Sequence, residues 1–107
     1  MAEGSSKLRA LKRIVVELRG AKNNQTIKDL DRIAKEFECA SETTRANENR
    51  IYYAPFVDIN YARVTVAIPH KGKVLKVYVG YFIQMLEEVI DRIEQIQKEQ
   101  GGGTNEE

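Results

Sequence analysis

Residues 63–68 read Arg63-Val64-Thr65-Val66-Ala67-Ile68, and Pro69-His70-Lys71-Gly72-Lys73 follow. Val64, Val66 and Ile68 fall on one face, and Arg63, Thr65 and Ala67 on the other. A period of two marks a strand with one face in a core and one toward solvent. Pro69 and Gly72 then end the strand and open a basic loop. Upstream, Arg50–Phe56 is predicted as another strand, with Pro55 marking an edge or an end. Ala46-Asn47-Glu48-Asn49 reads as the turn before it, because Asn tolerates positive φ. The chain from Glu38 on is rich in strand formers and supplies a first strand. Asp58-Ile59-Asn60 reads as a second turn.

Helical spacing flanks this region on both sides. Leu8, Leu11, Val15 and Leu18 predict a helix from about Lys7 to Arg19, with Ser6 as its cap and Gly20 ending it in a left-handed conformation. Ala21–Gln25 is a polar loop. Thr26 with Asp29 three residues on resembles a capping box, and Ile27, Leu30, Ile33, Ala34 and Phe37 give the second helix its apolar stripe. A third helix is predicted over Val77–Gln97. Phe82, Leu86, Val89, Ile93 and Ile96 form its heptad-like stripe, although Val-Tyr-Val-Gly-Tyr at its front has poor helix propensity. The order is therefore α-α-β-β-β-α. That makes an α+β domain with a three-stranded antiparallel sheet and helices packed on one face. The stripes of the first and third helices either pack on each other or form a homodimer seam.

Composition bounds the function. The chain has 107 residues, 42% hydrophobic and 31% charged, the mixture of one ordinary folded domain. It shows no apolar run long enough for a membrane span and no secretory leader, so the expected location is cytoplasmic. One cysteine, Cys39, excludes an internal disulfide and a Cys-based zinc site, and one histidine, His70, excludes His-pair metal sites. No cofactor or metal is expected. Residues 1–6 read as a disordered leader, 7–25 as an added helix and loop, 26–98 as the main domain, and 99–107 as a flexible tail. Net charge is +1, unevenly spread: +3 in residues 1–40, +3 in 41–86 and −5 in 87–107. Lys7, Arg9, Lys12, Arg13, Arg19 and Lys22 form one basic stretch; His70, Lys71, Lys73 and Lys76 form another. Such groups follow a phosphate backbone or simply solvate a surface.

The segment from Ile27 to about Val89 resembles the HicA family of toxins. The match is strongest at Val66-Ala67-Ile68-Pro69-His70-Lys71-Gly72-Lys73-Val74-Leu75-Lys76, where the third strand ends in Pro-His and a Gly/Lys-rich loop leads into the last helix. Leu30, Ile33, Ala34 and Phe37-Glu38 resemble the family's opening helix, and Arg50-Ile51-Tyr52-Tyr53-Ala54-Pro55 its second strand. The resemblance implies a fold like a double-stranded-RNA-binding domain, cleavage of mRNA, and neutralisation by a HicB-like antitoxin. It also implies a catalytic His at the start of strand two, where this chain has Asn49. An amide cannot accept and return a proton near neutral pH as imidazole can.

Several residues follow as site candidates. His70 is the only imidazole, beside lysines that would stabilise a phosphorane, so it is the candidate general acid or base. Lys71, Lys73 and Lys76 at the start of the last helix are expected RNA contacts, which Arg45 and Arg50 extend. Arg63 is a weaker candidate. The tyrosines at 52, 53, 61, 78 and 81 invite base stacking, but strand aromatics more often pack. Cys39 reads as a small buried hydrophobe. Three functions remain: an RNA-cleaving toxin, a non-catalytic module binding RNA or protein, and a structural dimerisation domain.

Overall fold

Val64 and Val66 face inward and are buried, while Arg63 and Thr65 are exposed, as the alternation predicts. A computed structural model describes residues 2–55 and 62–99, with side chains from residue 6 onward. Strand β1 spans Ala40–Thr43, β2 Asn49–Tyr53 and β3 Arg63–Ala67. They form one antiparallel sheet in the order β1-β2-β3, with Thr43 opposite Arg50, Tyr52 opposite Val64 and Asn49 opposite Ala67. Strand β2 stops at Tyr53 rather than at the expected Phe56. Ala54 makes one further bond, its N–H donating to the Ala62 carbonyl at 3.1 Å. The turn at 58–60, Phe56, Tyr61 and the tail from residue 100 lie outside the described residues.

Three helices complete the order: α1 (Ala2–Arg19), α2 (Ile27–Glu36) and α3 (Lys76–Gln97). Helix α1 begins well ahead of Lys7, and Ser6 lies within it instead of capping it. Apolar spacing marks only the turns that pack, so a turn without apolar residues leaves no such signal. Gly20 does end α1, but without positive φ. Its N–H donates to the Val16 and Glu17 carbonyls, and the chain tightens into a 3₁₀ turn at Lys22–Asn24. Left-handed geometry falls instead on Glu38, at φ 58°. There Cys39 N–H reaches the Ala34 carbonyl at 2.8 Å and Glu38 N–H the Lys35 carbonyl at 3.0 Å, the two bonds of a Schellman stop.

Both α2 and α3 cover the same sheet face. Arg50 and Tyr52, two apart on β2, point to it; Arg50 reaches Asp31 of α2, and the Tyr52 ring meets Phe82 of α3 edge-on at 5.0 Å. Tyr52, Phe37, Phe82, Leu30, Leu86 and Val89 centre the core. Burial of Val79, Phe82 and Ile83 carries the front of α3 into helix despite its composition, because packing outweighs propensity. Its cap residue Leu75 offers no side-chain bond, and α3 has no acid in its first turn and no base in its last. Lysines precede it and acids follow along its second half.

Helices α1 and α3 pack on each other within the chain. Leu11, Val15 and Leu18 are buried in that seam. The stripe of α3 thus faces the interior, with Phe82, Leu86 and Val89 fully enclosed. Ion pairs Lys12–Glu94 and Arg19–Glu87 flank the seam, and Lys7–Glu38 ties α1 to the end of α2. All are solvent-exposed pairs of the kind worth under about 1 kcal/mol each. Burial of each large apolar side chain, at about 1.5–3 kcal/mol, holds the helices together.

Candidate nucleic-acid interface

The basic loop after β3 is fastened at both ends. Ile68 N–H donates to the Glu48 carbonyl at 2.9 Å, joining the loop to the β1–β2 turn. Val74 N–H donates to the Gln25 carbonyl at 2.7 Å, joining it to the segment before α2. Lys73 Nζ adds a 3.3 Å bond to Asn24 Oδ1. Between these ties Gly72 takes φ 83°, a conformation that suits glycine. Val74 is buried and anchors the loop, whereas His70, Lys71, Lys73 and Lys76 are exposed.

The β1–β2 turn is built from side-chain and backbone bonds in concert. Thr44 N–H donates to the Asn49 carbonyl at 2.9 Å, and Asn49 N–H to Thr44 Oγ1 at 3.1 Å. Ala46 and Asn47 both take positive φ, at 73° and 57°. For Asn47 this is as predicted; for Ala46 it is a strained choice. Arg45 is exposed on the turn. Asn49 begins β2, half-buried, opposite the last residue of β3. The turn, Asn49, His70 and the three lysines therefore occupy one end of the sheet. No hydrogen bond joins His70 to another described residue, so nothing among them orients its imidazole as a triad orients its base.

Arg50 is placed differently from the other candidate cations. Its Nη2 donates to Asp31 Oδ2 at 2.6 Å and its Nε to Asp31 Oδ1 at 3.2 Å, and Nη1 also meets the Thr43 hydroxyl. Tyr52 Oη donates to the same Asp31 Oδ1 at 2.7 Å. The carboxylate holds the Arg50 guanidinium even more firmly protonated than usual, and burial drives the Tyr52 hydroxyl well above the ordinary range for a phenol. Both groups keep one protonation state at neutral pH. Asp31 escaped the sequence reading, since nothing in a chain pairs residues 19 apart on different elements. An inward-facing Arg at i−2 from a buried Tyr was the one available hint.

The remaining candidates divide. Arg63 is exposed on the open sheet face. Tyr52 is core, Tyr53 and Tyr78 are half-buried, and Tyr81 is exposed. Cys39 is half-buried against the core, and burial pushes its thiol up to about 12, with Glu38 adding to the effect. It is a packing group. Among the described residues no cluster of three His, Cys, Asp or Glu is placed to hold a metal ion, and no helix is long and apolar enough to cross a membrane.

No family model, curated protein or solved structure matches the chain.

Proposed function

We propose that the chain is a HicA-like RNA-binding protein, the toxin-type partner of a HicB-like antitoxin. The observation that carries this reading is the fastening of two loops bearing the exposed cations Arg45, Lys71 and Lys73, with exposed Lys76 opening the helix that follows, at one end of an α-β-β-β-α unit. Lysines fixed at that end suit the phosphates of an RNA duplex, which proteins recognise largely by shape and backbone. The α-β-β-β-α order after α1 is that of a double-stranded-RNA-binding domain, the fold the resemblance implies. Arg50 belongs to this reading only as a structural support, because its donors already face Asp31.

A second reading, cleavage of the bound RNA, rests on His70 sharing the sheet end with Asn49. The imidazole would take the 2′-hydroxyl proton and a lysine would stabilise the phosphorane. Short RNAs incubated with wild type, His70→Ala and Asn49→His decide between the two. Binding without cleavage by wild type supports the non-catalytic module, and cleavage lost in His70→Ala supports the ribonuclease. Absence of RNA binding at low salt rejects both.

A further inference from the structure

Between the end of α1 and the front half of α3 runs an open groove of about 650 Å³. The end of α1 and the turn after it line it with Arg19 and Lys22, and α3 with Lys76, Val77, Gly80 and Tyr81. Three features set it apart. The first is Gly80. A glycine inside a helix costs about 1 kcal/mol against alanine. Here the fold gives no return for it: φ is not positive, and a Cβ would meet nothing within 4 Å. The missing side chain leaves a gap in the helix surface facing the groove.

The second feature is apolar exposure. Among the described residues the exposed large hydrophobics are Val16, Leu75, Val77 and Tyr81. Val77 and Tyr81, at 51% and 49% exposure, line the groove. Leu75 immediately precedes Lys76, and Val16 lies one helical turn before Arg19. Val77 and Tyr81 give this concavity an exposed apolar lining, the mark of an interaction surface. The third feature is charge. Arg19 is paired with Glu87 across the groove, whereas Lys22 and Lys76 form no ion pair with a described residue.

We propose that this groove receives an acidic amphipathic segment of another protein. One large apolar side chain of that segment fills the gap over Gly80 between Val77 and Tyr81, and its carboxylates meet Lys22 and Lys76. An apolar lining beside ammonium groups that form no ion pair with a described residue selects that chemistry. A nucleic-acid backbone would gain nothing from Val77 and Tyr81, and Glu87, paired with Arg19, leaves Lys22 and Lys76 as the groove's cations without an ion pair to a described residue. The inference shares Lys76 with the RNA reading, but Gly80, Tyr81 and Lys22 lie outside the residues invoked there, so variants at those three test it separately.

The test uses the full chain and a labelled peptide with Leu at i, i+3, i+4 and i+7 on an otherwise Glu-rich helix. Controls are the same peptide with Lys for Glu, and with Ser for Leu. The first peptide should bind and shift the amide resonances of Lys22, Val77, Gly80 and Tyr81. Gly80→Leu and Lys22→Glu should each weaken it at least about tenfold, the loss expected for a central contact. Tyr81→Ser is the second variant should Gly80→Leu lose its native circular dichroism. Equal binding of the Lys-for-Glu peptide, or of the variants, overturns the proposal. So does a dimer of the chain alone that Gly80→Leu dissolves, which would give the groove to a second copy. Loss of RNA binding in Tyr81→Ser and Lys22→Glu would give it to nucleic acid and overturn it equally.

Discussion

The carboxylate of Asp31, in the middle of α2, receives two nitrogens of Arg50 and the hydroxyl of Tyr52 from β2. One side chain thereby fixes the distance between helix and sheet. Asp31→Ala should cost about 2–3 kcal/mol, because it leaves a partly buried guanidinium and a buried hydroxyl without their acceptor. Urea unfolding measures this. Arg50→Met should cost less than Asp31→Ala, since it leaves Asp31 with the Tyr52 donor. The double variant should fall well short of the sum of the singles.

The same geometry separates two kinds of cation. Replacing Lys71, Lys73 and Lys76 with Gln should weaken RNA binding and lower its salt slope by roughly 2–3. Arg50→Met should leave the slope unchanged even where stability falls. Titrations of one RNA duplex across a salt series distinguish the two, and an unchanged slope in the triple variant would remove the loop from the interface.

Two glycines should respond in opposite directions. Gly72→Ala forces a Cβ into φ 83° and should destabilise by about 1 kcal/mol. Gly80→Ala adds a Cβ in open space on a helix and should stabilise by about 1 kcal/mol. Thermal unfolding of the pair reads both signs at once.

The α2 cap has a pH signature. The Thr26 backbone N–H at 2.9 Å holds the Asp29 carboxyl below its ordinary value of 3.8. A lowered folded pKa contributes stability that is present above the unfolded value and disappears as pH falls through the folded one. Thr26→Ala should cost about 1 kcal/mol at neutral pH. Asp29→Ala should reduce the stability lost as pH falls below about 4, the ordinary carboxyl value.

Cys39 should be chemically silent while the chain is folded. With its thiol raised from 9.0 to about 12, the thiolate at pH 8 is roughly a thousandfold scarcer than in an open chain. Iodoacetamide labelling should therefore follow unfolding and rise steeply in urea. The sign for stability runs the other way from Asp29: the contribution is complete below about pH 9 and is lost as pH climbs toward 12.

Local signals were legible in the residues where one element decides its own geometry. The Val64–Val66 alternation and the Thr26–Asp29 cap were of this kind, and both stand as predicted. The Gly20 stop was not, because the left-handed position depends on how the chain leaves the helix, and here it leaves through a 3₁₀ turn. Glu38 took that geometry at the end of α2 with an ion pair to Lys7 beside it. The loop lysines were visible as a charge run, but only the bond from Ile68 to Glu48 brings them to the turn that carries Arg45, while Val74 to Gln25 ties their far end to the segment before α2. The role of Asp31 required the register of β2 and the height of α2 together, which no local pattern encodes.

Helix α3 opens after lysines and closes among acids, so its side-chain charges point the same way as the dipole of its own peptide groups instead of opposing it. The arrangement weakens the helix as an isolated segment. Lys12 and Arg19 of α1 pair with Glu94 and Glu87, so the acids of α3 are balanced by a neighbouring helix and not by its own sequence.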